Sequence, residues 1–203
     1  MPNWDEDSPQ LRHNLIRLFR RIRDEARRRD RPSLDTARSW HREFLAGLVV
    51  PNINAVGRFR GEPGLEDVEV QIGPRRGMAS DAVASTLSSF ESTLQTAVAR
   101  LDALLPVESA PDADKMAAII DLCAWTHSEW VRIHPFLNGN GRTARLWANS
   151  IAMRYGLPPF VTLRPRPGGG YEAAAESAMQ GKWQPTAVVF RQMLAAALWR
   201  PAP

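Results

Sequence analysis

Between Asp81 and Ile133 apolar residues recur at the spacing of a helix face, and that recurrence sets the fold class. Val83, Leu87, Phe90, Leu94, Ala97 and Leu101 follow one another at intervals of three and four, so they share one side of a helix from Asp81 to Leu104. After a loop at Pro106–Pro111, a second helix spans Asp112 to Ile133, with Met116, Ile119, Ile120, Cys123, Trp130 and Val131 apolar. The expected fold is all-α, with one exception described below.

The same periodicity marks the flanking segments. Asp7-Ser8-Pro9 reads as a helix start, with Ser8 as cap and Pro9 at the first position. Leu11, Leu15, Leu18, Ile22 and Ala26 then form one stripe, and arginines occupy the other faces. Such a face reads as the solvated side of a core-packing helix; the sharper alternative is a docking surface for an acidic partner or nucleic acid. Ser33 or Asp35 caps a second helix, whose buried side is Trp40, Phe44, Leu45 and Leu48. His41 in that run reads as a hydrogen-bonded core residue, and so does His127. A helix from Asn140 to Tyr155 ends at Gly156 and Pro158-Pro159. A basic glycine-rich connector, 164–170, leads to two closing helices, Tyr171–Met179 and Thr186–Leu198. The one strand signal is Val68-Glu69-Val70-Gln71-Ile72, which alternates with period two between Gly64 and Gly73-Pro74.

Composition excludes several classes. At 203 residues and 44% apolar content the chain has enough material for one real core. It is divided here into an appended arginine-rich helix, residues 1–32, and a main domain, 33–203. No apolar run reaches the roughly 18–20 residues that span a bilayer, and the acidic start is unlike a secretory signal. A cytoplasmic location is therefore expected, with export lacking a cleavable signal left open. The single cysteine, Cys123, cannot form an internal disulfide and suits a reducing compartment. Of 26 basic residues only Lys115 and Lys182 are lysine, yet the net charge of +4 is too small to argue for nucleic acid.

Chemistry concentrates at residues 134–145, His-Pro-Phe-Leu-Asn-Gly-Asn-Gly-Arg-Thr-Ala-Arg. A proline after His134 ends the preceding helix, which leaves the imidazole at an element end. Gly139, Asn140 and Gly141 form a tight turn opening a helix, where backbone N–H groups point one way and seat an anion. Arg142 and Arg145, three apart, share a face of that helix. The combination suits a polyphosphate with a base at its edge. His134 is the candidate base, Asn140 can add its side-chain amide, and Phe136 is an anchor for the loop.

The segment resembles the signature of Fic-domain proteins, His-x-Phe-x-(Asp/Glu)-Gly-Asn-Gly-(Arg/Lys)-x-x-Arg, at every fixed position but Asn138. Trp40-His41 and Val56-Gly57-Arg58-Phe59-Arg60 resemble the region upstream of it. The resemblance implies a mainly helical fold with a small β-hairpin flap near 62–76, in which Val68, Glu69, Val70, Gln71 and Ile72 bind the target segment by strand addition. It implies an enzyme that moves AMP from ATP to a Ser, Thr or Tyr hydroxyl of a target protein. His134 would be its base, with Gly139, Asn140, Gly141, Arg142 and Arg145 on the phosphates. The usual acidic position binds Mg²⁺; here Asn138 offers only an amide oxygen, so weakened activity is an alternative, as is a Fic-type transferase of UMP, phosphate or phosphocholine. Many such proteins are restrained by a (Ser/Thr)-x-x-x-Glu-(Gly/Asn) helix whose glutamate pairs with the last arginine of the signature. The nearest match, Ser39 to Glu43, is followed by Phe44 and reads as coincidence. A separate small inhibitor, such as the antitoxin of a toxin–antitoxin pair, or no inhibitor, is then expected.

Overall fold

The structure is a computed structural model describing Trp4 and residues 8–72, 75–107 and 109–199. Asp7 of the expected helix start and Gly73-Pro74 beyond the expected strand lie outside the described residues. Among those residues the order is α1 (Pro9–Arg27), α2 (Leu34–Leu45), β1 (Gln71–Ile72), β2 (Arg75–Arg76), α3 (Ser80–Leu104), α4 (Ala113–Ile133), α5 (Asn140–Arg154), α6 (Tyr171–Ala178) and α7 (Gln184–Leu198).

Short polar side chains start several helices by taking an N–H that has no intrahelical acceptor. Ser8 accepts from Leu11 N–H and Ser33 from Thr36 N–H. Asp112 accepts from Lys115 N–H. Ser33, and not Asp35, is therefore the cap of α2.

Helix α4 occupies the centre, packed against α3, α5, α6 and α7, while α5 lies between α4 and α1. Aromatic rings fill the junction. Trp40 meets Trp147 edge-on at 4.6 Å between centroids, and Phe90 lies 5.5 Å from Trp130. Such pairs add about 0.5–1.5 kcal/mol each beyond the area they bury. The α3 face differs by one residue from the expected one: Val98 is buried and Ala97 only half-buried.

Helix α1 is built into this core. Its stripe of Leu11, Leu15, Leu18, Ile22 and Ala26 is buried, and it packs on α2 and α5. The buried Asn14 amide donates to Phe44 O at 3.2 Å and Ala46 O at 2.7 Å, fixing α1 to the end of α2. Arg21 pairs with Glu25 and Glu43, each at 3.0 Å, and Arg17 with Glu43 at 3.5 Å. No helix among the described residues is long and apolar enough to cross a membrane.

The expected strand at Val68–Ile72 is shorter than its alternation suggested. Only Gln71 and Ile72 form a ladder, pairing antiparallel with Arg76 and Arg75. One further bond continues the same register, Gly77 N–H to Val70 O. Before it the chain is tied elsewhere: Val68 O accepts from Arg60, and the Glu69 carboxylate from Ser80 N–H and Oγ–H at the start of α3.

Candidate active site

The α4–α5 junction is a six-residue connection, His134–Gly139, held from three sides. His134 caps α4 in the left-handed region, at φ 52° and ψ 53°, which directs the chain sharply away from the helix. A non-glycine residue there is uncommon and carries strain. Its backbone N–H still reaches Trp130 O at 3.0 Å. Its Nδ1 lies 3.2 Å from Val131 O. A carbonyl only accepts, so Nδ1 carries the hydrogen and Nε2 keeps its lone pair. Burial lowers the His134 pKa from 6.5 to about 4, and the nearby Arg60 guanidinium acts in the same direction.

Below the loop, α2 supplies a clamp. The wholly buried His41 accepts Gly57 N–H at its Nδ1, 2.8 Å away. Its Nε2–H therefore donates to Asn138 O at 3.0 Å. The ring stacks on Phe136 at 3.9 Å between centroids. Asn140 closes the loop on itself: its amide donates to Phe136 O at 2.7 Å, and its carbonyl accepts Phe136 N–H at 2.9 Å. The side chain that sequence reasoning offered to phosphates thus engages the loop backbone on both its oxygen and its nitrogen. Gly139 precedes α5 at φ 82° and provides no side-chain cap. A Cβ at that position would lie 2.8 Å from Phe44 Cζ, so both conformation and space require glycine.

The arginines lean back toward the start of α5, as long helical side chains do. Arg142 is buried, stacks over Phe44 at 4.4 Å and donates to Asn138 Oδ1 at 3.2 Å. Arg145 lies over Gly141, where a Cβ would come within 3.3 Å of its Nη1. It donates to Leu163 O at 3.1 Å and approaches the Tyr171 hydroxyl at 3.5 Å. That hydroxyl is also 2.7 Å from Nε2 of the fully buried His127. Two guanidiniums therefore reach the opening turn of α5 from different sides, Arg142 by way of Asn138 and Arg145 by way of Tyr171. Ser39 and Glu43, the partial match to a restraining motif, hold α1 through Arg21 instead.

Arg60 is the residue whose role sequence reasoning missed. Its side chain is fully buried and donates to four carbonyls: His134 at 2.9 Å, Val68 at 3.0 Å, Met78 at 2.7 Å and Ile133 at 3.2 Å. Its own N–H reaches Pro135 O at 2.8 Å. One guanidinium thus ties the end of α4, the catalytic candidate and both ends of the hairpin segment together. Its place in the Gly57–Arg60 stretch was the only available signal. Tyr171, after three glycines, carried none.

Gly77 marks how closely the hairpin approaches. A Cβ there would fall 2.6 Å from Val70 Cγ2 and 3.5 Å from His134 Cβ. Gly77→Ala is expected to lower stability by about 1–3 kcal/mol, the usual result of overpacking, and to displace His134. Thermal unfolding checks the first effect.

A second expectation concerns acid. Burial lowers His41 and His127 to about 3, beside about 4 for His134. The unfolded chain binds protons below about pH 6.5 while the folded chain does not, so these groups stabilise the fold above that pH. Stability is lost as pH falls from 6.5 toward 4, by roughly 1 kcal/mol per pH unit for each histidine. Urea midpoints measured across that range test it; a flat profile is incompatible with three buried neutral rings.

Asn138 brings no negative charge to a cation. Its oxygen is neutral and already accepts from Arg142, and the described residues contain no cluster of three metal-ligating acidic, histidine or cysteine side chains. Mg²⁺ prefers anionic oxygens, so this pocket does not supply the ligands expected at the usual acidic position.

The site thus joins an imidazole at a helix end, a glycine turn and two arginines over that turn within a helical domain. The chain belongs to the Fic/DOC family, whose profile matches residues 31–152. It is 55% identical over 42 residues to a protein named protein adenylyltransferase Fic from Nematostella vectensis, covering 21% of this chain and 10% of that protein. The Drosophila persimilis protein of the same name is 48% identical over 42 residues, 8% of its length. The matched segment is therefore about a tenth of the curated relatives. Among solved structures, a Fic-domain-containing signaling protein from Bacteroides thetaiotaomicron superposes with a TM-score of 0.62 at 19% identity, covering 92% of this chain and 70% of that one. Fic-1 from C. elegans gives 0.61 at 23% identity, covering 97% and 52%. At these identities the likeness concerns the fold.

Proposed function

We propose that the protein transfers AMP from ATP to a hydroxyl side chain of a target protein. The observation that carries this reading is the His134 tautomer, with Nδ1–H spent on Val131 O and Nε2 left as an acceptor, on the loop that leads through the Gly139 turn into α5. The target hydroxyl oxygen attacks the α-phosphorus of ATP, and its proton passes to His134 Nε2. The bond from that phosphorus to the bridging oxygen breaks, releasing pyrophosphate and leaving a phosphodiester to AMP. Proton removal of this kind contributes about 10²–10⁴ in rate. The N–H groups opening α5, with Arg142 and Arg145, neutralise charge on the phosphates. No step is assigned to Mg²⁺. The β1–β2 hairpin pairs with no third strand among the described residues, which suits strand addition by a target segment.

One observation favours a second reading. Asn138 brings no negative charge and is engaged by Arg142, so a nucleotide-binding module with weak transfer is the alternative. Restraint by a separate protein remains part of the proposal, since Arg145 meets Leu163 O and Tyr171 rather than a carboxylate among the described residues. Calorimetric titration with ATP separates the readings when combined with pyrophosphate release in the presence of target proteins. Transfer requires both signals, whereas a silent module gives binding alone. Loss of both in the native protein would overturn the nucleotide site itself.

A further inference from the structure

We infer that the cleft between α1, the 159–168 segment and α7 is a docking groove for an acidic amphipathic helix of a partner protein. The cleft encloses about 1110 Å³ and none of its walls comes from the signature. Its rim carries Arg12, Arg20 and Arg23 from α1, with Arg164 and Arg166 opposite, and no Asp or Glu lines it among the described residues. Its floor is apolar, drawn from Ile16, Phe19, Phe160, Met193 and Ala197.

The arginines of α1 divide by face. Arg17 and Arg21, over α2, are paired with carboxylates. Arg12, Ile16, Arg20 and Arg23, spaced by four, four and three, share the face toward the cleft, flanking the buried stripe, whose Leu15 also lines the cleft. Those three arginines are exposed, and their side chains make no hydrogen bond or ion pair among the described residues. Ile16 beside them is 53% exposed, a position a surface helix normally gives to a polar residue. Across the groove, Arg166 makes a 3.7 Å contact with the exposed Glu172 and lies over the Tyr171 ring at 5.8 Å.

An apolar floor between cationic rims calls for a ligand that is apolar on one side and anionic on the others. A helix with leucine-type residues at i, i+3, i+4 and i+7 and carboxylates on its flanks has that form. The α1 face from Arg12 to Arg23 runs about 16 Å, room for roughly three turns of a second helix. Nucleic acid fits less well, because single strands need exposed aromatic faces for stacking and Phe160 is buried in the floor. The groove also touches the candidate active site, since Leu163 in its wall supplies the carbonyl that holds Arg145. The docking itself does not rest on the proposed transfer.

Fluorescence anisotropy with a labelled synthetic peptide of about 18 residues, five helical turns, tests this on the full chain. The peptide has leucine on one face and glutamate on the rest; a scrambled peptide of identical composition and a single-stranded DNA serve as comparisons. The ordered peptide is expected to bind at least tenfold more tightly than the scrambled one and to weaken as salt rises. Arg20→Glu with Arg23→Glu, and separately Ile16→Glu, should each reduce binding tenfold or more; all three sites are exposed, so folding is preserved. Equal binding of the two peptides, no binding, or retention in both variants overturns the proposal. Tighter binding of the DNA, with displacement of the peptide, assigns the groove to nucleic acid instead.

Discussion

Arg60→Met is expected to lower the thermal midpoint by about 10 °C or more, the largest loss from any single exposed or buried charge in the molecule. Methionine keeps the length and apolar stem but supplies no donor. The carbonyls of His134, Val68, Met78 and Ile133 would then lose their common partner inside the protein. A buried group left unsatisfied costs about 1–3 kcal/mol, and even partial repair by water leaves a total above roughly 3 kcal/mol. For a domain of this size each kcal/mol shifts the midpoint by about 2–4 °C. Arg60→Lys should recover little, because one ammonium cannot span four acceptors set by a planar fork. A midpoint within a few degrees of the native protein would show that these bonds do not hold the α4–hairpin junction together.

His134→Asn is expected to abolish protein modification, a fall of at least about a hundredfold in kcat/KM, while leaving the fold intact. Asparagine is chosen because it tolerates the left-handed conformation recorded at this helix end. Unfolding should therefore stay close to native, which separates loss of the base from loss of structure. In the native protein the imidazole is neutral above about pH 4, so the acid limb of kcat/KM should fall well below the ordinary histidine range. A limb near pH 6.5 would place a different group in control.

Helix periods and punctuation made most of the fold readable, since amphipathic stripes and caps are local properties. Ser8, Ser33 and Asp112 stand where capping requires them. The hairpin was overextended for the opposite reason. Alternation at Val68–Val70 is local, but Arg60 takes the Val68 carbonyl that a ladder would have used, and Ser80 holds the Glu69 side chain at the start of α3. The signature located the candidate site, yet not how its side chains divide their work. That Asn140 locks Phe136 is a side-chain-to-backbone contact within the loop, and that His41 clamps Asn138 and Arg145 leans on Tyr171 are long-range contacts; none leaves a periodic trace. Arg60 is the sharpest case: an arginine among loop residues reads as solvated until four carbonyls are seen to converge on it.

The decisive measurement is transfer of radiolabel from ATP to protein, run in parallel with label on the α- and the γ-phosphate and with His134→Asn as the matched control. Label entering a protein band only from the α-position, and disappearing with the variant, is expected. Label retained by the variant, or entering only from the γ-position, contradicts a site in which this imidazole activates a hydroxyl against the α-phosphorus.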